Sequence, residues 1–135
     1  MKLRSKILIL LSAAFVVAGF AVCMPYETRG IPEWDIRVVD AGGNPVARGQ
    51  VTQEWLNPIH RGRLYSDARE TSANGDVVFP ERILKNRLLH GFAPEKPEAH
   101  VFICWRGQFA DVNWDGVSEE PAKVIRLKVG ACPYS

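Results

Sequence analysis

Two glycine-bearing bends constrain this chain more than any other feature. The first lies in Trp34-Asp-Ile-Arg-Val-Val-Asp-Ala-Gly-Gly-Asn-Pro-Val46, and the second is Thr71-Ser-Ala-Asn-Gly-Asp-Val-Val-Phe-Pro80. In each, β-branched and aromatic residues that suit a pleated, half-buried surface run into Gly and Asn, which accept positive φ, and Pro, which presets φ near −65°. A strand fused to a tight turn follows, repeated along the chain. Trp34, Ile36 and Val38 alternate with Asp35 and Arg37, the period-two pattern of a sheet with one wet face.

The same reading extends downstream. The Gly42-Gly43-Asn44-Pro45 turn is expected to reverse the chain into a strand from Val46 to about Leu56, with loop at Asn57 to Gly62 and an edge strand from Leu64 to Thr71. Asn74-Gly75 is a hairpin signal returning into Val77 to Phe79. Pro80 then opens a short helix whose apolar side is Ile83, Leu84, Leu88 and Leu89, stopped by Gly91. Ala93 to Pro97 is irregular. Strands are expected at Glu98 to Trp105, Phe109 to Trp114 and Lys123 to Val129, the last with Ile125, Leu127 and Val129 turned inward. The sum is an all-β, Ig-like antiparallel sandwich of about seven strands with one short helix.

The N-terminus points to export. Lys2, Arg4 and Lys6 precede an apolar run from Ile7 to Met24 broken only by Ser12 and Gly19, the layout of a secretory signal. Gly19 and Ala21 supply small residues for cleavage before Val22, so residues 1–21 are expected to be a signal peptide. The run is also long enough for an uncleaved membrane anchor over 7–24. Lipidation of Cys23 fits less well, because Val22 and Phe20 stand where small residues and Leu are usual. Residues 22–33, with Pro25, Gly30 and Pro32, are expected to form a tether ahead of one domain, 34–135. The destination is the periplasm or cell envelope.

Charge excludes one class of partner. The formal net charge is +2, and the cationic leader accounts for it, leaving a near-neutral domain with no nucleic-acid footprint. The basic residues of His60-Arg-Gly-Arg63 and Arg82 to Arg87 interleave with Asp67, Glu70 and Glu81, a mixed solvated surface. Beyond the leader only Cys104 and Cys132 remain, and an even pair in an oxidising compartment is expected to form a disulfide.

Candidate sites are few. Asp111, Asn113 and Asp115 followed by Gly116 resemble the start of a calcium loop, with Glu119 as a later oxygen ligand. The closing bidentate Glu is replaced by Ala122, and an Asx-stabilised turn between strands is the preferred reading. His60 is expected in a loop, His90 at a helix C-terminus and His100 on a strand surface, none with a visible catalytic partner. Trp55, Trp105, Trp114, Tyr26, Tyr65 and Tyr134 are more aromatics than a small sandwich needs; those left exposed would suit a sugar or a protein partner. No cofactor is expected.

The pattern Val38-Val39-Asp40, Gly43-Asn44-Pro45-Val46, Gly49 and Val51, then Thr71, Asn74-Gly75 and Val78-Phe79-Pro80, resembles the carboxypeptidase regulatory-like, or transthyretin-like, domain. The resemblance covers about half of the exported chain. It implies a non-catalytic accessory or structural module with a partner in the envelope. One branch of transthyretin-like proteins hydrolyses 5-hydroxyisourate with a strand-one His and a C-terminal Tyr-Arg-Gly-Ser. This chain has Arg37 and Val38 in strand one and ends Cys132-Pro-Tyr-Ser135, so that activity is not implied.

Overall fold

The computed structural model describes residues 2–56, 63–87, 97–116 and 120–134, with the backbone alone for 2, 25–29 and 85–87. Helix α1 spans Lys2–Cys23. It is followed by β1 (Pro25–Ile31), β2 (Trp34–Val39), β3 (Gln50–Leu56), β4 (Leu64–Glu70), β5 (Asp76–Phe79), β6 (Arg82–Arg87), β7 (Ala99–Trp105), β8 (Gln108–Trp114), β9 (Val124–Arg126) and β10 (Lys128–Val129). The expected loop 57–62 with His60, the expected helix end with His90, most of Ala93 to Pro97, and Glu119 lie outside the described residues.

A five-stranded sheet, β10-β8-β7-β3-β4, faces a three-stranded sheet, β5-β2-β9, and β1 and β6 form a separate two-stranded ribbon. The core lies between the larger sheets. Trp34, Ile36 and Val38 from β2, Val77 and Phe79 from β5 and Ile125 from β9 meet Val51, Val101, Ile103 and Ala110 across it. Alternation puts these side chains on one face of each strand, and burying apolar area at ~25 cal/mol per Å² drives the two layers together. The buried Trp34 indole donates Nε1–H to the Ala122 carbonyl at 2.7 Å, which satisfies its polar edge.

Both glycine-bearing bends are where expected, but neither closes a hairpin. Asp40 accepts from the Asn44 amide at 2.8 Å, and Val39 bridges Pro45, after which the chain crosses to β3 in the other sheet. Likewise β4 lies in the five-stranded sheet and β5 pairs with β2. Each bend is therefore an arch between layers. Gly75, at φ +80°, sits where a Cβ would approach the Val38 carbonyl oxygen to 2.5 Å, so the second arch demands glycine on both conformational and steric grounds. The arches are locked to each other by Thr71. Its Oγ1 donates to the Val46 carbonyl at 2.5 Å and accepts from the Gly49 amide at 2.8 Å, both buried. A two-residue hairpin does occur at Arg106-Gly107, where φ values of 48° and 70° match a type I′ turn.

Other expectations are corrected. The segment after Pro80 is strand β6 over Arg82–Arg87 instead of the start of a helix, because β1 offers a complete antiparallel partner from Pro25↔Arg87 to Ile31↔Arg82. Alternation follows: Leu84 is 2% exposed and Ile83 59%. The expected tether is correspondingly strand β1, with Ile31 fully buried. Its Pro25 occupies the first strand position, where a missing N–H is tolerated. The closing strand is split: β9 pairs with β2 in parallel, and β10 pairs with β8 in the opposite layer. Leu127 is buried at the crossing, whereas Val129 is 79% exposed instead of inward. Among the described residues strand pairing is thus antiparallel except at β2–β9, and β1, β6 and β10 join the seven strands expected of the sandwich.

Candidate functional site

The outer face of the five-stranded sheet carries a cluster of polar and aromatic groups. Period-two alternation aims Glu54, His100, Phe102, Cys104, Asp111 and Asn113 away from the core. Register aligns them in rows: Glu54 opposite His100 opposite Asn113, then Thr52 opposite Phe102 opposite Asp111. The C-terminal segment comes back over these rows because Cys132 is bonded to Cys104, with Cα atoms 5.6 Å apart. That distance is ordinary for a disulfide. Two residues further on, the Tyr134 ring stacks on Phe102 with centroids 4.4 Å apart at 27°.

Tyr134 also bridges to charge. Its hydroxyl lies 3.4 Å from His100 Nε2, with donor and acceptor set by the imidazole tautomer. The same nitrogen is 3.9 Å from Asp111 Oδ2. Partial burial, followed by the nearby Asp111 carboxylate and then Glu54, pushes the phenol above its usual range, since each disfavours phenolate. The arrangement offers an aromatic platform edged by two carboxylates and an imidazole. It can stack on a flat or apolar group and accept hydrogen bonds from its hydroxyls or amines.

Beside this face a groove of about 380 Å³ opens at the end of β3, β7 and β8, lined by Glu54, Trp55, Leu56, Leu64, Glu98, His100, Trp114 and Asp115 among others. Trp55 is held from beneath. The Arg82 guanidinium lies 4.3 Å from its ring centroid, donates to Asp67 Oδ2 at 2.5 Å and donates to Gln53 Oε1 at 3.2 Å. Gln53 is fully buried, and its Nε2 has no hydrogen-bond partner among the described residues. Burial raises the Asp67 pKa, but hydrogen bonds from Arg82 and Arg69 outweigh it and hold the carboxyl below the usual range.

The structure distributes the sequence candidates unevenly. Cys104 and Cys132 are joined, and Cys23 is an exposed thiol at the end of α1. Asp111 and Asn113 are not in a loop: they lie in β8 on the outer face, and Asp115 follows the strand end beside the groove. Among the described residues no group of three or more His, Cys, Asp or Glu side chains converges in a way that could hold a metal ion. His100 is on a strand surface, as read, but with Tyr134 and Asp111 as neighbours. That cluster was derivable. Alternation in β7 puts His100, Phe102 and Cys104 on one face, and a bond from Cys104 to Cys132 carries Tyr134 there. Of the surplus aromatics, Trp114 is buried, Trp55 and Trp105 pack against the core edge, and Tyr134 remains 41% exposed.

No family model matches the chain, and no curated protein does.

Proposed function

We propose that this chain is an exported, non-enzymatic β-sandwich module of the carboxypeptidase regulatory-like type. It acts in the cell envelope by presenting the outer face of its five-stranded sheet to a protein partner. The observation that carries the reading is the Tyr134–Phe102–His100 platform, partly exposed and tied to the sheet by a disulfide. Ordered aromatic side chains of this kind lose little entropy on binding and supply much of the contact energy at protein interfaces. Export is supported by α1, whose Leu3–Cys23 segment has a mean hydropathy of 2.4 and none of its surface buried. With Lys2, Arg4 and Lys6 retained on the cytoplasmic side, the sandwich lies across the membrane, where the disulfide is stable. The two arches, with their Asn-Pro and Asn-Gly turns and the Thr71 lock, support the family assignment.

A photo-crosslinking residue at Asn113, compared with one at the exposed Val124 of the smaller sheet, tests the reading in intact membranes. A discrete adduct from position 113 that is absent from position 124 supports it. Equal labelling at both, or substrate turnover that depends on a named side chain, refutes it. The groove favours a second reading, a small-ligand site. Trp55 and Trp114 with Glu54 and Glu98 suit a carbohydrate, and calorimetric titration of the full chain with oligosaccharides, and with Ca²⁺ for the Asp111–Asp115 segment, tests that reading.

A further inference from the structure

Helix α1 has 22 residues; the 17 from Ile7 to Cys23, beyond the last of the leader's cations, span about 26 Å at ~1.5 Å each, close to the ~30 Å of a bilayer's hydrocarbon core. Its hydrogen bonding continues to the Met24 amide, which donates to Phe20 O at 3.1 Å. Strand β1 begins at Pro25. Two Cα steps therefore separate helix from strand, at most about 7 Å of chain. Pro25 is the register partner of Arg87, and Tyr26 and Glu27 are those of Asn86 and Lys85, with paired backbones about 5 Å apart. The headgroup layer beyond the hydrocarbon is itself roughly 5–8 Å thick on each side. Chain length alone keeps Pro25 and its partner Arg87 at its level, and the next two pairs, Tyr26–Asn86 and Glu27–Lys85, each lie at most one strand step of about 3.4 Å further out.

The other end of the ribbon is fixed to the sandwich. Ile31 is fully buried and Leu84 is 2% exposed. A Cβ at Gly30 would fall on the Leu84 side chain, so the strands are in close contact there. Arg82 adds its bonds to Asp67 and Gln53 and its position over Trp55. Helix and sandwich are thus joined by paired strands and not by a free linker.

We infer that the Pro25–Arg87 end of the β1–β6 ribbon is seated among phospholipid headgroups, so that the sandwich stands on the bilayer through a paired-strand stalk. The residue types at that end suit the location. The sequence there, Pro-Tyr-Glu on β1 and Lys-Asn-Arg on β6, includes a Tyr, a residue type favoured at membrane interfaces, and sums to a net positive charge, the sign that anionic phosphates attract. The inference rests on the export reading above and requires in addition that α1 stays attached.

The test uses the full chain with Cys23→Ser, in vesicles of phosphatidylcholine and phosphatidylglycerol containing a lipid with a nitroxide on its headgroup. A fluorophore is attached at Asn86→Cys or, in a separate protein, at Asn74→Cys in the arch beyond the far end of β2. Glu27→Cys serves as a second ribbon probe if the first variant does not fold. Quenching at least threefold stronger at the ribbon position than at 74 is expected. Equal quenching at the two ends, in a chain whose mass shows α1 retained, overturns the inference and leaves the export reading intact. Recovery of a membrane-released chain starting at Val22 overturns the seating while supporting export, and a sandwich shielded from protease added outside the cell membrane refutes export itself.

Discussion

Replacing Thr71 with Val isolates the lock between the two arches, because Val has nearly the same shape and lacks only the hydroxyl. In the native protein Thr71 is 3% exposed, and its Oγ1 satisfies the Val46 carbonyl and the Gly49 amide, 2.5 and 2.8 Å away. Thr71→Val leaves a buried acceptor and a buried donor unpaired, at ~1–3 kcal/mol each. The new methyl group regains about 0.8 kcal/mol of burial. A loss of about 2–4 kcal/mol is expected, a large part of a typical total of ~5–15 kcal/mol. For a domain of this size it lowers the Tm by roughly 10 °C. The assay is urea unfolding of the full chain in detergent followed by tryptophan emission, with Thr71→Ser as the companion. Ser keeps both hydrogen bonds and loses one methyl, so it should cost only about 1 kcal/mol. The reasoning fails if Thr71→Val leaves stability within ~0.5 kcal/mol of the native protein, the ordinary scatter of neutral substitutions, or if Thr71→Ser is as damaging as Thr71→Val.

Three further outcomes are expected. Replacing Cys104 and Cys132 together by Ala should lower stability by about 3–4 kcal/mol, the loop-closure value for their separation of 28 residues, and denaturant midpoints with and without reductant check it. Gly75→Ala should be markedly more destabilising than Gly107→Ala in thermal melts: both have positive φ, but a Cβ at 75 meets the Val38 carbonyl and one at 107 meets open space. Asp67 has a folded-state pKa below its unfolded value, so its contribution is present above about pH 4 and is lost as pH falls through the depressed pKa. The stability gap between the native chain and Asp67→Asn should be constant near neutrality and shrink below that point, which urea midpoints at successive pH values measure.

The layers of the fold were legible in the sequence wherever alternation was strong. Trp34, Ile36 and Val38 turned inward, and Val101 and Ile103 turned inward opposite Phe102 and Cys104, because a period of two leaves one face for the core. Turn chemistry located both arches but could not say which sheet the next strand would join. Asn-Gly favours positive φ equally in a hairpin and in a crossing. The ribbon was missed for a related reason. Pro25, Gly30 and Pro32 look like linker and Ile83-Leu84 like a helical face when each segment is taken alone, and only their mutual pairing makes both extended. The outer-face cluster required two steps together, the alternation of β7 and the bond from Cys104, and neither His100 nor Tyr134 signals it singly.

The parallel slot beside β2 has a consequence for biosynthesis. β2 is among the first strands to leave the ribosome, yet its neighbour β9 is among the last, and Arg37 waits for Val124 and Val39 for Arg126. The smaller sheet therefore stays open on one side until residues 124–126 have emerged, and loop closure over so long a span slows its completion. On the export reading proposed above, the segment after the leader crosses the membrane before its smaller sheet is closed, and the bond between Cys104 and Cys132 forms on the far side.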